Sequence, residues 1–518
     1  MGGADIEKPL LEHNQLNPVF PNCPGCKNAY LQSPDAGVPY KQFITVFLLV
    51  LCSSLPISSL YPFLYFMVQD FHITKSDKDL GFYVGAIGAA FMVGRAMTAV
   101  LWGIAADKYG RKPVMLIGAI SVIVFHTLFG FSQNFWMAVL TRFLLGLFNG
   151  LHGPAKAYVS EVSNANHQAL GVSIIGTSWG LGLILGPALG GYLSQPALKY
   201  PDIFTEGSLF ARFPYLLPSL CNTVFAIGVL FVSFQLPETL HKHEQSQQMP
   251  PPNVSTTDPE MTDKLSPLPN DLIEAQQDQK KPLLSRKPFI GGLVLYCIWS
   301  LHDMAYVEVF SLWCVSPKSN GGLGFTTADV GEILGLSGFV VLIFQLLIFP
   351  YLSNFLGPIM VTRIPIVFSV PMVVAYPAIA TLSGMALWVI VAIVSCLKNV
   401  FTTMIFTASM IILNNSVPQD QRGAANGLSV SLASVFKAIG PAGGGALFAW
   451  GQKRPDTSIL PGNYLVFAVL GFIGFLSCIS TFEPFLPRST NDPFSEEADD
   501  TSFSQSIIQL NLSLLALL

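Results

Sequence analysis

Charged side chains are scarce in this chain of 518 residues. Asp, Glu, Lys and Arg make up only 11% of it, whereas they make up about 25% of a typical globular domain. The formal net charge of -4 also leaves no excess of basic residues for a nucleic-acid surface. Hydrophobic residues account for 51% of the chain, and we therefore expect a membrane protein that does not bind nucleic acid.

Several other familiar features are missing. The first forty residues lack the basic start and apolar core of a signal peptide, so we expect the first membrane span itself to start insertion. The eight cysteines do not have the spacing of a secreted disulfide framework. We find no nucleophile-and-base pair, no phosphate loop and no closed metal cluster. Neither an enzyme nor a bound cofactor is therefore expected.

Apolar runs long enough to cross a bilayer, which takes about 20 residues, recur along the chain. Residues 236–287 interrupt the series and are rich in Pro, Gln, Ser and charge, which predicts a disordered linker. The pattern predicts an all-α membrane protein with twelve transmembrane helices in two pseudo-symmetric six-helix halves. The predicted spans are residues 42–66, 81–104, 114–132, 135–158, 169–193, 212–235, 289–313, 327–350, 358–382, 385–412, 423–449 and 462–482.

The spans divide the chain into an N-terminal tail (1–40), a first half (41–235), the linker (236–287), a second half (288–482) and a C-terminal tail (483–518). Lys and Arg are concentrated in the linker and in the connection 108–112, so the positive-inside rule predicts that both termini are cytoplasmic. Two repeats relate the halves. The stretch 186-GPALGG-191 recurs as 440-GPAGGG-445, and 107-DKYG-110 has a weaker echo in 354-NFLG-357.

The connection 102-WGIAADKYGRKP-113 places one acid and several bases in a very short turn. Asp107 can pair with Arg111 and accept hydrogen bonds from a neighbouring helix N-terminus, an arrangement that would break when the two halves rock. The alternative is that these charges only set the topology. The candidate latch consists of Gly103, Asp107, Lys108, Gly110, Arg111 and Lys112.

Glycines recur every four residues in the fifth span, at Gly182, Gly186 and Gly190. They lie on one helical face and permit another helix to approach closely, while Pro187 removes a backbone hydrogen bond. Together with Gly191 they predict a hinge or a tight seam between helices. The alternative is the ordinary packing of small residues that many membrane helices show.

Charges inside membrane spans are costly and are therefore candidates for function. Arg95 and Arg142 could hold an anionic substrate group or stabilise a nearby carboxylate. Asp303 or Glu308 could carry a coupling proton, with His302 as a relay. The alternatives are a structural ion pair or, for Asp303, a position at the membrane interface. We expect snorkelling or structural roles for the remaining polar groups, His126, His152, Lys156, Lys398 and Lys437.

The motif 21-PNCPGCKN-28 precedes the first span and brings Cys23 and Cys26 close together. In a cytoplasmic tail the two thiols would be reduced and available for metal or palmitate. A structural zinc site usually has four Cys or His ligands. His241 and His243 of the linker could complete such a site on the same side of the membrane, and a docking or other structural role is the alternative.

The loop 102–113 resembles the signature loop of the major facilitator superfamily, and the resemblance to this superfamily covers residues 40–485. The stretch 142-RFLLGLFNG-150 is similar to the superfamily's fourth-helix motif, which is linked to proton transfer. The stretch 182-GLILGPALGG-191 looks like the antiporter motif of the superfamily's drug/proton exchangers. Together with CPGC before the first span and 237-PETLH-241 after the sixth, these motifs resemble the plant zinc-induced facilitator-like family.

This resemblance implies a proton-coupled antiporter that exports small metal chelators, such as nicotianamine or phytosiderophores, or their zinc or iron complexes. It implies a vacuolar membrane location, with the plasma membrane second. We expect the partners to be a small-molecule substrate, protons and the lipid bilayer, and the functional unit to be a monomer. Two alternatives are a proton-coupled transporter of potassium or of an organic anion such as auxin, and a non-transporting zinc sensor.

Overall fold

The computed structural model of the chain describes residues 23–24, 37–163, 168–205, 207–240, 282–418, 421–454 and 462–487. Within these ranges the chain forms helices and turns and no strand. Most of the predicted linker and of the two predicted tails lies outside the described residues. The long helices form two consecutive sets of six, one on each side of the linker.

The helices of the first half match the six predicted spans. They are α1 (Tyr40–Ser58), α2 (Leu80–Tyr109), α3 (Arg111–Gly130), α4 (Phe135–Val162), α5 (Gln168–Leu193) and α6 (Leu216–Ser233). Two of the spans are interrupted close to a proline, which cannot donate a backbone hydrogen bond. The span begun by α1 turns shortly after Pro56 and continues as the short helix Leu64–Asp70. α4 is broken at residues 149–151, just before Pro154.

The second half repeats this plan. Its helices are α7 (Lys287–Val315), α8 (from Thr327 to a reversal at Gly357), α9 (from that reversal to Val374), α10 (Gly384–Asn415), α11 (Arg422–Gln452) and α12 (Gly462–Ile479). The chain reverses at Gly357 with a φ of 73°, as it does between α2 and α3 at Gly110 with a φ of 117°. Only glycine adopts such angles readily, so the echo of 107–110 in 354–357 reflects equivalent turns.

Ten of the twelve helices are long and apolar enough to cross a membrane. The other two are α8, which contains a π-helical turn at Phe344–Ile348, and α12, whose apolar stretch Tyr464–Ile479 is shorter. The prediction of an all-α membrane protein with two six-helix halves is therefore confirmed.

The glycine face of α5 forms a tight seam with α1. Gly182, Gly186 and Gly190 face Ser54, Ser58 and Ser59 respectively. A Cβ atom at Gly190 would lie 1.9 Å from the carbonyl oxygen of Ser59, which leaves no room for a side chain. The Ser58 hydroxyl donates a hydrogen bond of 2.7 Å to the carbonyl oxygen of Gly182 across the seam.

The related glycines of α11 form the corresponding seam in the second half. A Cβ atom at Gly440 would lie 2.7 Å from Cβ of Met304 in α7, and one at Gly444 would lie 3.1 Å from the carbonyl oxygen of Ala305. The repeat therefore has a structural counterpart, because α5 packs on α1 as α11 packs on α7. The shared GPxxGG stretch permits the same close approach in both halves.

The two halves touch through α2 with α11 and through α5 with α8. We call the end of the bundle where α2 meets α3 the linker face, and the opposite end the far face. A Cβ atom at Gly445 would lie 2.2 Å from the carbonyl oxygen of Gly81, and one at Gly191 would lie 2.8 Å from Cα of Gly331. All four residues lie in the far-face portions of their helices, so the halves are in close contact at the far face.

Toward the linker face the same helical faces separate. Gly180 lies on the face of α5 that touches α8, and Gly427 lies on the face of α11 that touches α2. A Cβ atom at either glycine would have no neighbour within 4 Å among the residues that the structure describes. The chain thus adopts a conformation that is closed at the far face, with a cleft between the halves that opens at the linker face.

The seam between α1 and α5 predicts a sharp difference between two Gly→Ala variants. We expect Gly190→Ala to lower the thermal unfolding midpoint of the detergent-solubilised protein, because overpacking a tight site costs about 1–3 kcal/mol. Gly228→Ala is the matched control, since a Cβ atom there would meet nothing within 4 Å. Equal midpoints for both variants would show that the seam tolerates a side chain.

Candidate functional site

A charged network surrounds the turn between α2 and α3. The Arg111 guanidinium forms an ion pair with Asp107 and a second one, at 3.0 Å, with Glu161 at the end of α4. The side chain of Arg111 is 12% exposed, whereas that of Asp107 is 73% exposed. The predicted pairing of Asp107 with Arg111 is present, and the better-shielded partner is Glu161, which the sequence reasoning did not single out.

The carboxylate that accepts hydrogen bonds at the N-terminus of α3 is that of Glu238, which follows α6, and not that of Asp107. The backbone N–H groups of Arg111 and Lys112 donate to Glu238 at 3.0 and 3.1 Å. A Cβ atom at Gly110 would lie 2.3 Å from Glu238 Oε2, so glycine leaves room for this contact. Among the described residues, Asp107 accepts no hydrogen bond from a helix N-terminus, so that part of the prediction is not found.

The other candidate latch residues are peripheral to this network. A Cβ atom at Gly103 would meet nothing within 4 Å, and the Lys108 ammonium lies over the ring of Tyr109. Lys112 donates a hydrogen bond of 2.7 Å to the carbonyl oxygen of Phe234. The hydrogen bonds and ion pairs described for the network join α2, α3, α4 and the end of α6 within the first half. A latch between the halves stays a prediction.

Arg142 is buried in the first half beside the break in α1. Its guanidinium donates a hydrogen bond of 2.8 Å to the carbonyl oxygen of Pro56, which the end of α1 leaves without an intrahelical partner. The group also lies over the rings of Phe91 and Phe129, at 5.2 and 5.6 Å from their centroids. Arg142 is therefore held by a carbonyl group and two aromatic faces.

Glu308 projects from α7 toward the first half. Its side chain is 1% exposed, and neither carboxylate oxygen has a hydrogen-bond partner among the described residues. A Cβ atom at Gly88 of α2 would lie 2.9 Å from Glu308 Oε2, so the carboxylate rests on the glycine face of α2. The charge of Arg142 acts on it across the interface between the halves.

Asp303 is committed to a buried ion pair within the second half. The Lys398 ammonium from α10 lies 2.9 Å from Asp303 Oδ1 and 3.5 Å from the ring centroid of Tyr306. The Tyr306 hydroxyl in turn forms a hydrogen bond of 2.7 Å with Tyr376. From the sequence we expected a snorkelling or structural role for Lys398, and the pairing with Asp303 was not predicted, because the second half has several acids and bases in its spans and the sequence does not show which of them meet.

Among the described residues, His302 forms no hydrogen bond with Asp303 or Glu308. Its buried ring stacks on Trp299 with a centroid distance of 4.5 Å, and its Nε2 atom lies near Gly474 of α12. Neither ring nitrogen has a hydrogen-bond partner within the described ranges. A relay through His302 therefore stays a prediction that no described contact supports.

Three half-buried cations, Arg95, Lys156 and Lys437, form what we call the cationic cluster. They lie on α2, α4 and α11, and the charges of all three act on the ring of His152, which lies one turn before Lys156. No carboxylate of the described residues forms an ion pair with any of them. Only Arg95 was a predicted site residue, since snorkelling or structural roles were expected for Lys156 and Lys437.

Lys199 helps to hold the far face closed. Its ammonium donates hydrogen bonds to Thr327 Oγ1 at 2.5 Å, to Ser194 Oγ at 3.3 Å and to the carbonyl oxygen of Gly191. Thr327 begins α8, so the first of these bonds connects the two halves. Burial lowers the pKa of Lys199 to about 8. The far face is thus closed by polar contacts as well as by glycine packing.

The proposed zinc ligands fall mostly outside the described residues. Cys23 is described and is buried, whereas Cys26, His241 and His243 are not described. Elsewhere in the described chain, no group of three or more His, Cys, Asp or Glu residues could hold a metal ion. A zinc contact of these four residues stays a prediction.

Comparison with known proteins finds a matching family profile and similar relatives. Residues 46–397 match the sequence profile of the Major Facilitator Superfamily. The chain is 49% identical to Protein ZINC INDUCED FACILITATOR-LIKE 1 of Arabidopsis thaliana, over 93% of this chain and 98% of that protein. It is 47% identical to a probable peptide/nitrate transporter of Arabidopsis thaliana, over 92% of this chain and 98% of that protein.

A solved structure supports the fold alone. The crystal structure of a D-xylose-proton symporter superposes with a TM-score of 0.63. It covers 88% of this chain and 100% of the symporter, at a sequence identity of 14%. Such a low identity carries no information on the substrate.

The ion pair of Asp303 and Lys398 predicts that a single and a double substitution will differ. We expect Lys398→Met alone to destabilise the protein by about 3–5 kcal/mol, because it leaves an uncompensated buried carboxylate. In the double variant with Asp303→Asn most of that loss should be recovered. The measurement is thermal unfolding in detergent, and a double variant no more stable than the single one would contradict the pairing.

The network at the linker face predicts an unequal effect of its two flanking carboxylates. Glu238→Gln should lower the unfolding midpoint clearly, because it weakens the charged cap of α3. Asp107→Asn, the matched control, should change the midpoint little, since that side chain is largely exposed. The same unfolding assay serves for both variants, and the reverse order of effects would contradict this account of the cap.

Proposed function

Because the chain belongs to the major facilitator superfamily and, within it, to the zinc-induced facilitator-like family, we propose that it is a proton-coupled antiporter of small metal chelators. It is a multi-pass membrane transporter and not an enzyme. The proposed substrates are nicotianamine or phytosiderophores, or their zinc or iron complexes, which it would export from the cytosol. The observation that carries the proposal is the unpaired, buried Glu308 between the two halves.

Glu308 is the better of the two candidate proton carriers. A bare charge inside a membrane is costly, so a carboxylate without a partner is best accommodated together with a proton. Asp303 has its compensation in Lys398 at 2.9 Å. Glu308 rests on α2 in the region where the halves must separate when the far face opens. That motion would bring it to water on the far side, where it could exchange its proton.

Arg142 supports this role from the other half. Its charge acts on Glu308, although the two side chains share no described hydrogen bond. A carboxylate that has lost its proton could therefore be stabilised by Arg142 when the halves move. Proton release and rearrangement of the halves would then be linked, which is what coupling requires.

The cleft supports access of the substrate from the linker face. The positive-inside rule puts that face in the cytosol, so the substrate would enter from the cytosol and leave at the far face. We propose the vacuolar membrane as the first location and the plasma membrane as the second. Both halves of the fold come from one chain, which is consistent with a functional monomer. A role in zinc and iron homeostasis follows if the substrate is a chelator.

Among the alternatives, the cationic cluster favours an organic anion over potassium. A cation in the cleft would meet Arg95, Lys156 and Lys437, whose charges would repel it. An organic anion such as auxin therefore remains the second candidate. A non-transporting zinc sensor would need neither the unpaired carboxylate nor a closed far face.

We expect Glu308→Gln to reduce proton-gradient-driven uptake of labelled nicotianamine into proteoliposomes at least tenfold. Exchange of nicotianamine without a gradient should persist, because the amide mimics the protonated carboxyl group. Glu308→Asp should retain part of the driven uptake, and Asp77→Asn, at an exposed position near the start of α2, should retain all of it. Assays with and without zinc or iron would show which form is carried.

Driven uptake that is unchanged in Glu308→Gln would place the coupling proton elsewhere. If the unaltered protein shows no nicotianamine flux under any gradient, the chelator is the wrong substrate. The same vesicles would then be tested with auxin and with potassium.

A further inference from the structure

We propose that the cationic cluster is a binding site for a metal-free polycarboxylate, an organic anion with two or three carboxylate groups. The inference rests on the proposed function and deepens it, because it names the chemical form in which the substrate is recognised. Arg95, Lys156 and Lys437 would bind the carboxylates directly. The site is distinct from the proton site at Glu308.

Two of the cations lie on the first-half wall of the cleft. α2 and α4 are in direct contact beside Arg95, since a Cβ atom at Gly146 would lie 3.1 Å from the Arg95 backbone nitrogen. After its break α4 continues with His152, whose ring packs against Trp179 of α5 at a centroid distance of 4.7 Å. Lys156 follows one turn later on the same face. The charge of Arg95 acts on both His152 and Lys156, so these two side chains of α4 lie near Arg95.

The third cation faces them from the second half. Lys437 lies one turn before Pro441, whose carbonyl oxygen would be 2.4 Å from a Cβ atom at Gly85 of α2. Its ammonium is 5.1 Å from the ring centroid of Phe406, and that ring packs at 5.7 Å against Tyr296, which interacts with Arg95. The cluster thus spans the cleft at the level where α2 and α11 begin to separate.

Along α2 the cluster is clearly separated from the proton site. Arg95 follows Gly88, the residue on which Glu308 rests, by two helical turns toward the linker face, which corresponds to about 10 Å. The charge of Asp303 acts on Lys437, but the Asp303 carboxylate is already bound by Lys398. None of the three cations therefore has an ion-pair partner of its own in the described part of the chain.

The absence of an ion-pair partner for these three cations indicates that the ligand is an anion. Like charges repel one another more strongly in a partly buried cleft than in water, so a ligand that neutralises them is favoured. An arginine can hold one carboxylate with two parallel hydrogen bonds, and each lysine can hold another as a point charge. One or two carboxylates would leave part of the repulsion, and three would remove it.

The same chemistry favours the metal-free form. In a metal complex the carboxylates already bind the metal, and a divalent metal cancels two of the negative charges. The cluster offers ammonium and guanidinium groups, which cannot bind a metal, and the described residues hold no group of ligands for one. A ligand held by both halves would also remove the repulsion that opposes closure of the cleft.

The test uses the purified full chain in nanodiscs with tricarballylate, succinate and acetate as probes. We expect affinity to fall from the tricarboxylate to the dicarboxylate to the monocarboxylate, and nicotianamine to bind at least fivefold more tightly alone than when saturated with zinc. Arg95→Gln, Lys156→Gln and Lys437→Gln should each weaken tricarballylate at least tenfold. Lys437→Arg should retain binding, and so should Lys318→Gln, the exposed far-face control.

Unfolding midpoints without ligand would show that each variant is folded. Affinity that does not depend on the number of carboxylates, an equal loss in Lys318→Gln, or tighter binding of the zinc complex would each overturn the inference. Tricarballylate binding without any driven nicotianamine flux would reject the proposed function and leave this site intact. Driven nicotianamine flux that is unchanged in all three Gln variants would reject this site and leave the proposed function intact.

Discussion

The cost of a bare charge inside a membrane is the constraint on which this structure depends. Some of its buried charges are compensated by the protein itself, as Asp303 is by Lys398 and Arg142 is by a carbonyl group and two rings. Others have no such partner among the described residues. Glu308 and the cationic cluster belong to this second group, and a proton and an anion are the mobile partners that would complete them.

Glycine packing determines where these unpaired charges lie relative to the two ends of the helix bundle. The seams inside each half join α1 to α5 and α7 to α11, and the contacts of α2 with α11 and of α5 with α8 close the far face. The unpaired carboxylate is consequently shut off beside α2, while the cations line the cleft that opens at the linker face. In this conformation the cations, and not Glu308, therefore lie toward the open end of the interface.

Sequence reasoning found the elements that depend on neighbours in the chain. The glycine spacing of α5 predicted its seam, and the turn at Gly110 and the pairing of Asp107 with Arg111 follow from residues within one loop. It missed Glu238 as the cap of α3 and Lys398 as the partner of Asp303. In both cases the partners are close in space and distant in sequence, and a single sequence carries no signal that pairs them.

The amino-acid sequence by itself determined the class of protein, the number of spans and the division into two halves, because hydropathy and helix length are local properties. The repeated GPxxGG stretch also indicated the pseudo-symmetry of the two halves. Only the tertiary structure decided which charges are compensated and which are not, because compensation depends on helices meeting across the bundle. Lys156, Lys398 and Lys437 look alike in the sequence, and their packing alone makes one of them an ion-pair partner and two of them part of a cationic cluster.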